Sequence, residues 1–251
     1  LGVFWLVAAM AFGMIICSLM IDRHSIDHDL ARGGIDEEVS GDAKPESILS
    51  LFEDRRLVVF AACIFLFHFA NAAMLPLVSQ KLSAQSDAEH GIAFTAACVI
   101  AAQLVMIVMA LFCGKKADVW GRKPLFLIAF LVLPIRGLLF SQFDSAYALV
   151  AVQALDGVAN GIFAILFLLI LADITNGSGR FNLAQGVLAM LVGIGASLSN
   201  IAAEYVVQFT SYSVAFGFLA GIAVIGLILF YFFMEETLEQ TPAEVPEAPR
   251  S

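Results

Sequence analysis

The sequence specifies an all-α, polytopic membrane protein with seven transmembrane helices, one followed by a bundle of six. Three observations predict this. Apolar residues make up 61% of the 251-residue chain and charged residues 14%, whereas a soluble domain carries about a quarter charged residues. The apolar residues are gathered into long runs separated by short polar stretches, and a hydrocarbon core about 30 Å thick takes roughly 20 apolar residues in a helix. The runs are continuously apolar rather than alternating. Of the two structures that satisfy backbone groups in lipid, this selects helices over a closed barrel.

The runs are 1–21, 57–79, 92–113, 124–140, 146–172, 181–207 and 212–234. The first begins inside an apolar stretch, with no Met and no basic leader. It is therefore read as the last span of a preceding unit rather than as a signal peptide. The second carries Pro76, which is expected to bend its helix. The fourth is short and contains Arg136, but it is retained because removing it would invert every later helix. Residues 22–56 are charged, include Gly33 and Gly34, and read as a linker with an amphipathic stretch near 48–52. Residues 57–234 form the six-span bundle. Residues 235–251, with Pro242, Pro246 and Pro249, read as a disordered tail.

Charge fixes the expected orientation. The net charge of −9 arises in the linker and the tail, because residues 22–55 hold ten acids against four bases and residues 235–251 five against Arg250. Lys and Arg concentrate in cytoplasmic loops. With the first span ending in the cytoplasm, eleven of the thirteen bases fall on that side, Lys81 falls opposite, and Arg136 lies within a span. The linker and C-terminus are thus expected to be cytoplasmic. Cys17, Cys63, Cys98 and Cys113 lie in or at the ends of spans without metal or redox spacing, and read as small apolar residues.

Between the third and fourth spans stands Gly114-Lys115-Lys116-Ala117-Asp118-Val119-Trp120-Gly121-Arg122-Lys123. It resembles the signature loop of the major facilitator superfamily, roughly G-x-L-x-D-R-x-G-R-K, with Lys116 in the usual Leu position and Val119 in the position of the first Arg. That family places the loop on the cytoplasmic side, between the second and third helices of each six-helix half, which is where charge and span order place it here. The resemblance covers essentially the whole chain. It implies that 1–21 is the last helix of a missing N-terminal half and that 57–234 is the C-terminal half. It also implies that Gly114, Asp118, Gly121, Arg122 and Lys123 form a cytoplasmic gating loop. Glycines permit tight turns and close approach, and Asp118 suits a helix N-terminus. Arg122 and Lys123 suit lipid headgroups or loop carboxylates.

Polar residues within spans supply the remaining candidates. An ionisable group in hydrocarbon costs about 2.5–3.5 kcal/mol on insertion scales and usually faces the bundle interior or water. Arg136 and Asp156 fall near mid-depth at 1.5 Å per residue, and are expected to pair. The pair reads either as a coupling element that exchanges partners or as a fixed structural clasp. His68 and Asn71, one turn apart, read either as cavity-lining residues or as interhelical hydrogen-bonding groups. Gln153, Asp156 and Asn160 form a polar stripe beside Gly157 and Gly161. Gly186, Gly193, Ser197 and Asn200 form another, Gln103 is a lone polar residue, and Gly217 and Gly221 read as a packing pair.

The chain carries no nucleotide-binding loop, no Cys- or His-rich metal cluster and no basic face for nucleic acid. No cofactor and no enzymatic activity are expected. The resemblance implies a secondary active transporter in a bacterial inner membrane. It would move a small-molecule substrate by alternating access, driven by an ion gradient, usually of protons, with lipid and the missing half as its other partners. The phrases around 67–77 and 155–157 also resemble drug-efflux members. A non-transporting assembly or sensor protein and a dimerising half-size transporter are the alternatives.

Overall fold

The computed structural model describes residues 2–20, 51, 53–85 and 88–238. Most of the linker and the tail beyond 238 lie outside them. The helices are α1 (Gly2–Leu19), α2 (Arg55–Asn71), α3 (Met74–Gln85), α4 (Ala88–Trp120), α5 (Arg122–Gln142), α6 (Ala146–Thr175), α7 (Phe181–Phe209) and α8 (Tyr212–Phe233). Among the described residues six segments, with α2 and α3 counted together, are long and apolar enough to cross a membrane. α1 adds 18 residues without a charge, about 27 Å of helix. The molecule is a multi-pass integral membrane protein.

The second expected span is two helices. Pro76 has no N–H and its ring collides with the carbonyl four residues earlier, which is that of Ala72. The chain turns at Ala72 and Ala73. α3 then restarts with the Leu77 N–H donating to the Ala73 carbonyl at 3.0 Å. At its other end α2 is capped by Asp54, whose carboxylate accepts from the Arg56 N–H at 2.8 Å.

The expected loop at 114–123 is almost entirely helical. α4 continues to Trp120 and α5 begins at Arg122, leaving Gly121 alone between them at φ 88°. This conformation is open to glycine and strained for other residues. Gly114 lies inside α4 with open space where a side chain would stand, so it serves neither a turn nor a close approach.

α4 packs on α6, α5 on α8 and α6, and α2 on α7 and α8. Glycines set the tightest approaches. A methyl on Gly157 would stand 2.2 Å from the Ala102 carbonyl oxygen, and one on Gly161 2.7 Å from that of Met106. Gly195 of α7 meets the Phe65 carbonyl in the same way. Gly217 and Gly221 meet nothing, so the packing glycine of α8 is Gly226, against Phe130.

The interior has two apolar clusters. One, toward the Gly121 end, is built on Phe60, Phe67, Phe126, Phe130 and Phe230. The other, toward the Lys81 end, is built on Met74, Leu77, Phe140 and Phe216. The break in the second span falls between them. So does Arg136, the largest fully buried side chain.

Candidate functional site

The layer between the two clusters is polar and closes into a ring. Arg136 Nη1 of α5 donates to Asp156 Oδ1 of α6 as an ion pair. The same carboxylate oxygen accepts from Asn160 Nδ2 at 2.9 Å. Asn71 Nδ2 donates to Asn160 Oδ1 at 3.4 Å. Arg136 Nη2 reaches back to the Asn71 carbonyl at 3.5 Å, close to the limit for a hydrogen bond. The guanidinium also lies 5.7 Å from the Phe140 ring centroid.

Helix geometry explains the ring. Asp156 and Asn160 are one turn apart on α6 and share a face. Asn71 is the last residue of α2, where the break frees carbonyls for outside partners. The N–H freed on the α3 side, that of Ala73, is taken by Ser199 Oγ of α7 at 3.1 Å. Discontinuous helices at mid-membrane are a recurring device of transporter binding sites.

The other candidates in the spans are distributed around this ring. Gln103 joins Asp156, Asn160, Met106 and Phe163 in lining a cavity of about 310 Å³ between α4 and α6. Gln153 is fully buried one turn from Asp156, and its amide has no partner among the described residues. It lies outside the ring. His68 turns its Nδ1 to its own helix, 3.2 Å from the Ile64 carbonyl, and its ring packs against Phe67 and Phe163. Asn200 donates to the Ala196 carbonyl at 2.8 Å and lines a separate groove with Glu204 and Tyr205.

A second charged assembly stands at the Gly121 end. Arg122, 7% exposed, pairs with Asp118 at 2.6 Å and with Asp173 of α6 at 3.1 Å. Asp118 thus engages a guanidinium, where the sequence suggested a helix N-terminus. That cap comes from Glu236, whose carboxylate accepts from the N–H groups of Arg122 at 2.8 Å and Lys123 at 3.1 Å. The next residue is Pro124, which has no N–H to satisfy, so one carboxylate completes the first turn of α5. Thr237 Oγ1 donates to Asp173 at 3.0 Å. Residues 235–238, read from composition as the start of a disordered tail, therefore include a helix cap.

Ser199, Asp173, Glu236 and Thr237 escaped sequence reasoning. For Glu236 a usable signal was present. It follows the last span directly, before the prolines begin, and acids favour helix N-termini. Among the described residues, no group of three or more His, Cys, Asp and Glu side chains is placed to hold a metal ion.

Comparison with known proteins agrees with this architecture. The family model of the Major Facilitator Superfamily matches residues 57–251. Uncharacterized MFS-type transporters from two strains of Mycobacterium tuberculosis are each 43% identical over 237 residues, covering 94% of this chain and 56% of their own length. The MFS-type transporter gkaD of Penicillium citrinum is 25% identical over 133 residues, 52% of this chain and 22% of its own. The chain thus spans about half the length of the mycobacterial relatives. The broken helix, the charged junction at Gly121 and the family match lead to one conclusion: this chain belongs to the major facilitator superfamily.

Proposed function

We propose that the chain forms the C-terminal half of a secondary active transporter, and that the Arg136–Asp156 pair couples solute movement to protons. The observation that carries this reading is the closed ring of Arg136, Asp156, Asn160 and Asn71 at the helix break. Protonating Asp156 removes the charge that holds Arg136. The guanidinium then keeps the Asn71 carbonyl at the end of α2, so the proton acts directly on the broken helix. Gln103 and the cavity beside Asp156 give a small solute access to the same carboxylate.

Two further features support the reading. Of the six bundle spans, α4 and α7 bury the smallest share of their length, and their apolar faces, with Leu104, Ile107, Ile194 and Leu198 exposed, suit contact with the N-terminal half. The Asp118–Arg122–Asp173 cluster with Glu236 suits a gate on the cytoplasmic side of a bacterial inner membrane, with the linker and C-terminus on that side.

The test is transport of a substrate panel, driven by an imposed pH gradient, in vesicles holding the full-length protein. Asp156→Asn and Arg136→Lys are each expected to abolish coupled transport at normal expression. Normal transport by both would make the pair a structural clasp. The same vesicles distinguish efflux from uptake. Absence of any gradient-driven flux by the full-length protein would favour an assembly or sensing role.

A further inference from the structure

Lys123 stands apart from the charges that build the Gly121 junction. Its backbone N–H is taken by Glu236, yet among the described residues its ammonium has no carboxylate within ion-pair distance. It lies instead 5.7 Å from the Tyr231 ring centroid. Arg122 beside it is fully engaged by two carboxylates.

Tyr231 is also the end wall of a groove between α5 and α8. The groove encloses about 460 Å³ and is lined by aliphatic and aromatic side chains, among them Leu127, Leu131 and Ile228. Leu127 is one helical turn beyond Lys123, and Leu131 one turn further, so apolar surface continues for about 12 Å along the axis below the ammonium. That is most of one leaflet of a hydrocarbon core about 30 Å thick. Ile128, Leu131, Ile228 and Phe232 are exposed there. Of the six bundle spans, α4 and α7 bury the least of their length; with those two set against the N-terminal half, as proposed above, the groove between α5 and α8 is left to the bilayer.

We propose that this groove binds one anionic phospholipid, with its phosphate held by Lys123 and an acyl chain lying along Leu127, Leu131 and Ile228. Charge and shape agree in this. A cation at headgroup depth stands over a wholly apolar channel, with an interfacial tyrosine between them. Glu236 does not oppose the phosphate, because its carboxylate is already bonded to the α5 N-terminus and offset by that helix dipole. The occupant is a lipid of the leaflet on the Gly121 side, the side that carries most of the Lys and Arg.

Native mass spectrometry of the full-length protein, titrated in detergent with phosphatidylglycerol, tests this. One phosphatidylglycerol retained per chain is expected, in preference to phosphatidylcholine and to diacylglycerol, which lacks the phosphate. Lys123→Gln is expected to weaken retention about fivefold, the effect of removing one lysine from an anionic surface. Ile128→Trp fills the groove and is expected to abolish retention without lowering the melting temperature in lipid-free detergent. Undiminished retention in either variant would overturn the proposal, as would equal retention of diacylglycerol. So would a dimer that forms through this face in place of lipid binding and is lost in Ile128→Trp.

Discussion

Replacing Arg136 with Met, Asp156 with Leu, and then both together separates what the buried pair holds from what it does. Asp156→Leu leaves a fully buried guanidinium whose remaining contacts are a carbonyl at 3.5 Å and the Phe140 ring at 5.7 Å. An uncompensated buried charge of this kind costs about 3–5 kcal/mol. Arg136→Met leaves a carboxylate that is 17% exposed and keeps its bond from Asn160, so its cost lies nearer 3 kcal/mol on the same scale. The double variant removes both charges and the desolvation each incurs, and is expected within about 1 kcal/mol of the parent. Equilibrium unfolding of the full-length protein in bicelles reads these differences, and vesicle transport is measured alongside. Recovered stability with abolished transport is the expected combination. A double variant less stable than Asp156→Leu would refute the electrostatic reasoning, and a double variant that transports would refute the coupling role.

Gly157→Val places a side chain against the Ala102 carbonyl, where even a methyl would approach to 2.2 Å. It is expected to lose at least the 1–3 kcal/mol, roughly, of an overpacked core, measured as a lowered melting temperature. Gly217→Ala, whose added methyl meets nothing within 4 Å, serves as the neutral control. Glu236→Ala removes the carboxylate that accepts the first two N–H groups of α5 and is expected to cost about 0.5–2 kcal/mol, as loss of a cap does. Hydrogen exchange at Arg122 and Lys123 should rise in that variant and stay unchanged in the rest of α5. Pro76→Ala restores the missing N–H opposite Ala72 and is expected to slow transport while stability holds or rises. A stable variant with unchanged transport would show that the break is incidental.

The helices were legible because each span needs its own apolar run, and because Lys and Arg are excluded from lipid. Arg136 and Asp156 stood out for the same reason: two charges inside apolar runs at similar depth have few other partners. Asn71 and Asn160 were found through their spacing with neighbouring polar residues. Ser199 was not, since a serine in a membrane helix ordinarily satisfies itself on its own helix, and only the position of the break turns it outward. Pro76 announced a bend, but the consequence at Ala72 and Ala73 depends on who receives the freed backbone groups. Glycine spacing showed which residues share a face without showing what that face meets. Gly157 and Gly161 look like Gly217 and Gly221 in sequence, yet one pair grips α4 and the other meets nothing. At the Gly121 junction the basic residues were legible and their acidic partners were not. Asp173 and Glu236 are remote in sequence from Arg122 and are brought to it by the packing of α6 on α5 and by the strap after α8.

Proton release on substrate binding tests the central claim most directly. Full-length protein in weakly buffered detergent, mixed with a transported solute, would be followed with a pH indicator. The ring of Arg136 and Asp156 predicts a solute-dependent proton change in the parent that disappears in Asp156→Asn while solute still binds. The same proton change in both proteins would contradict it.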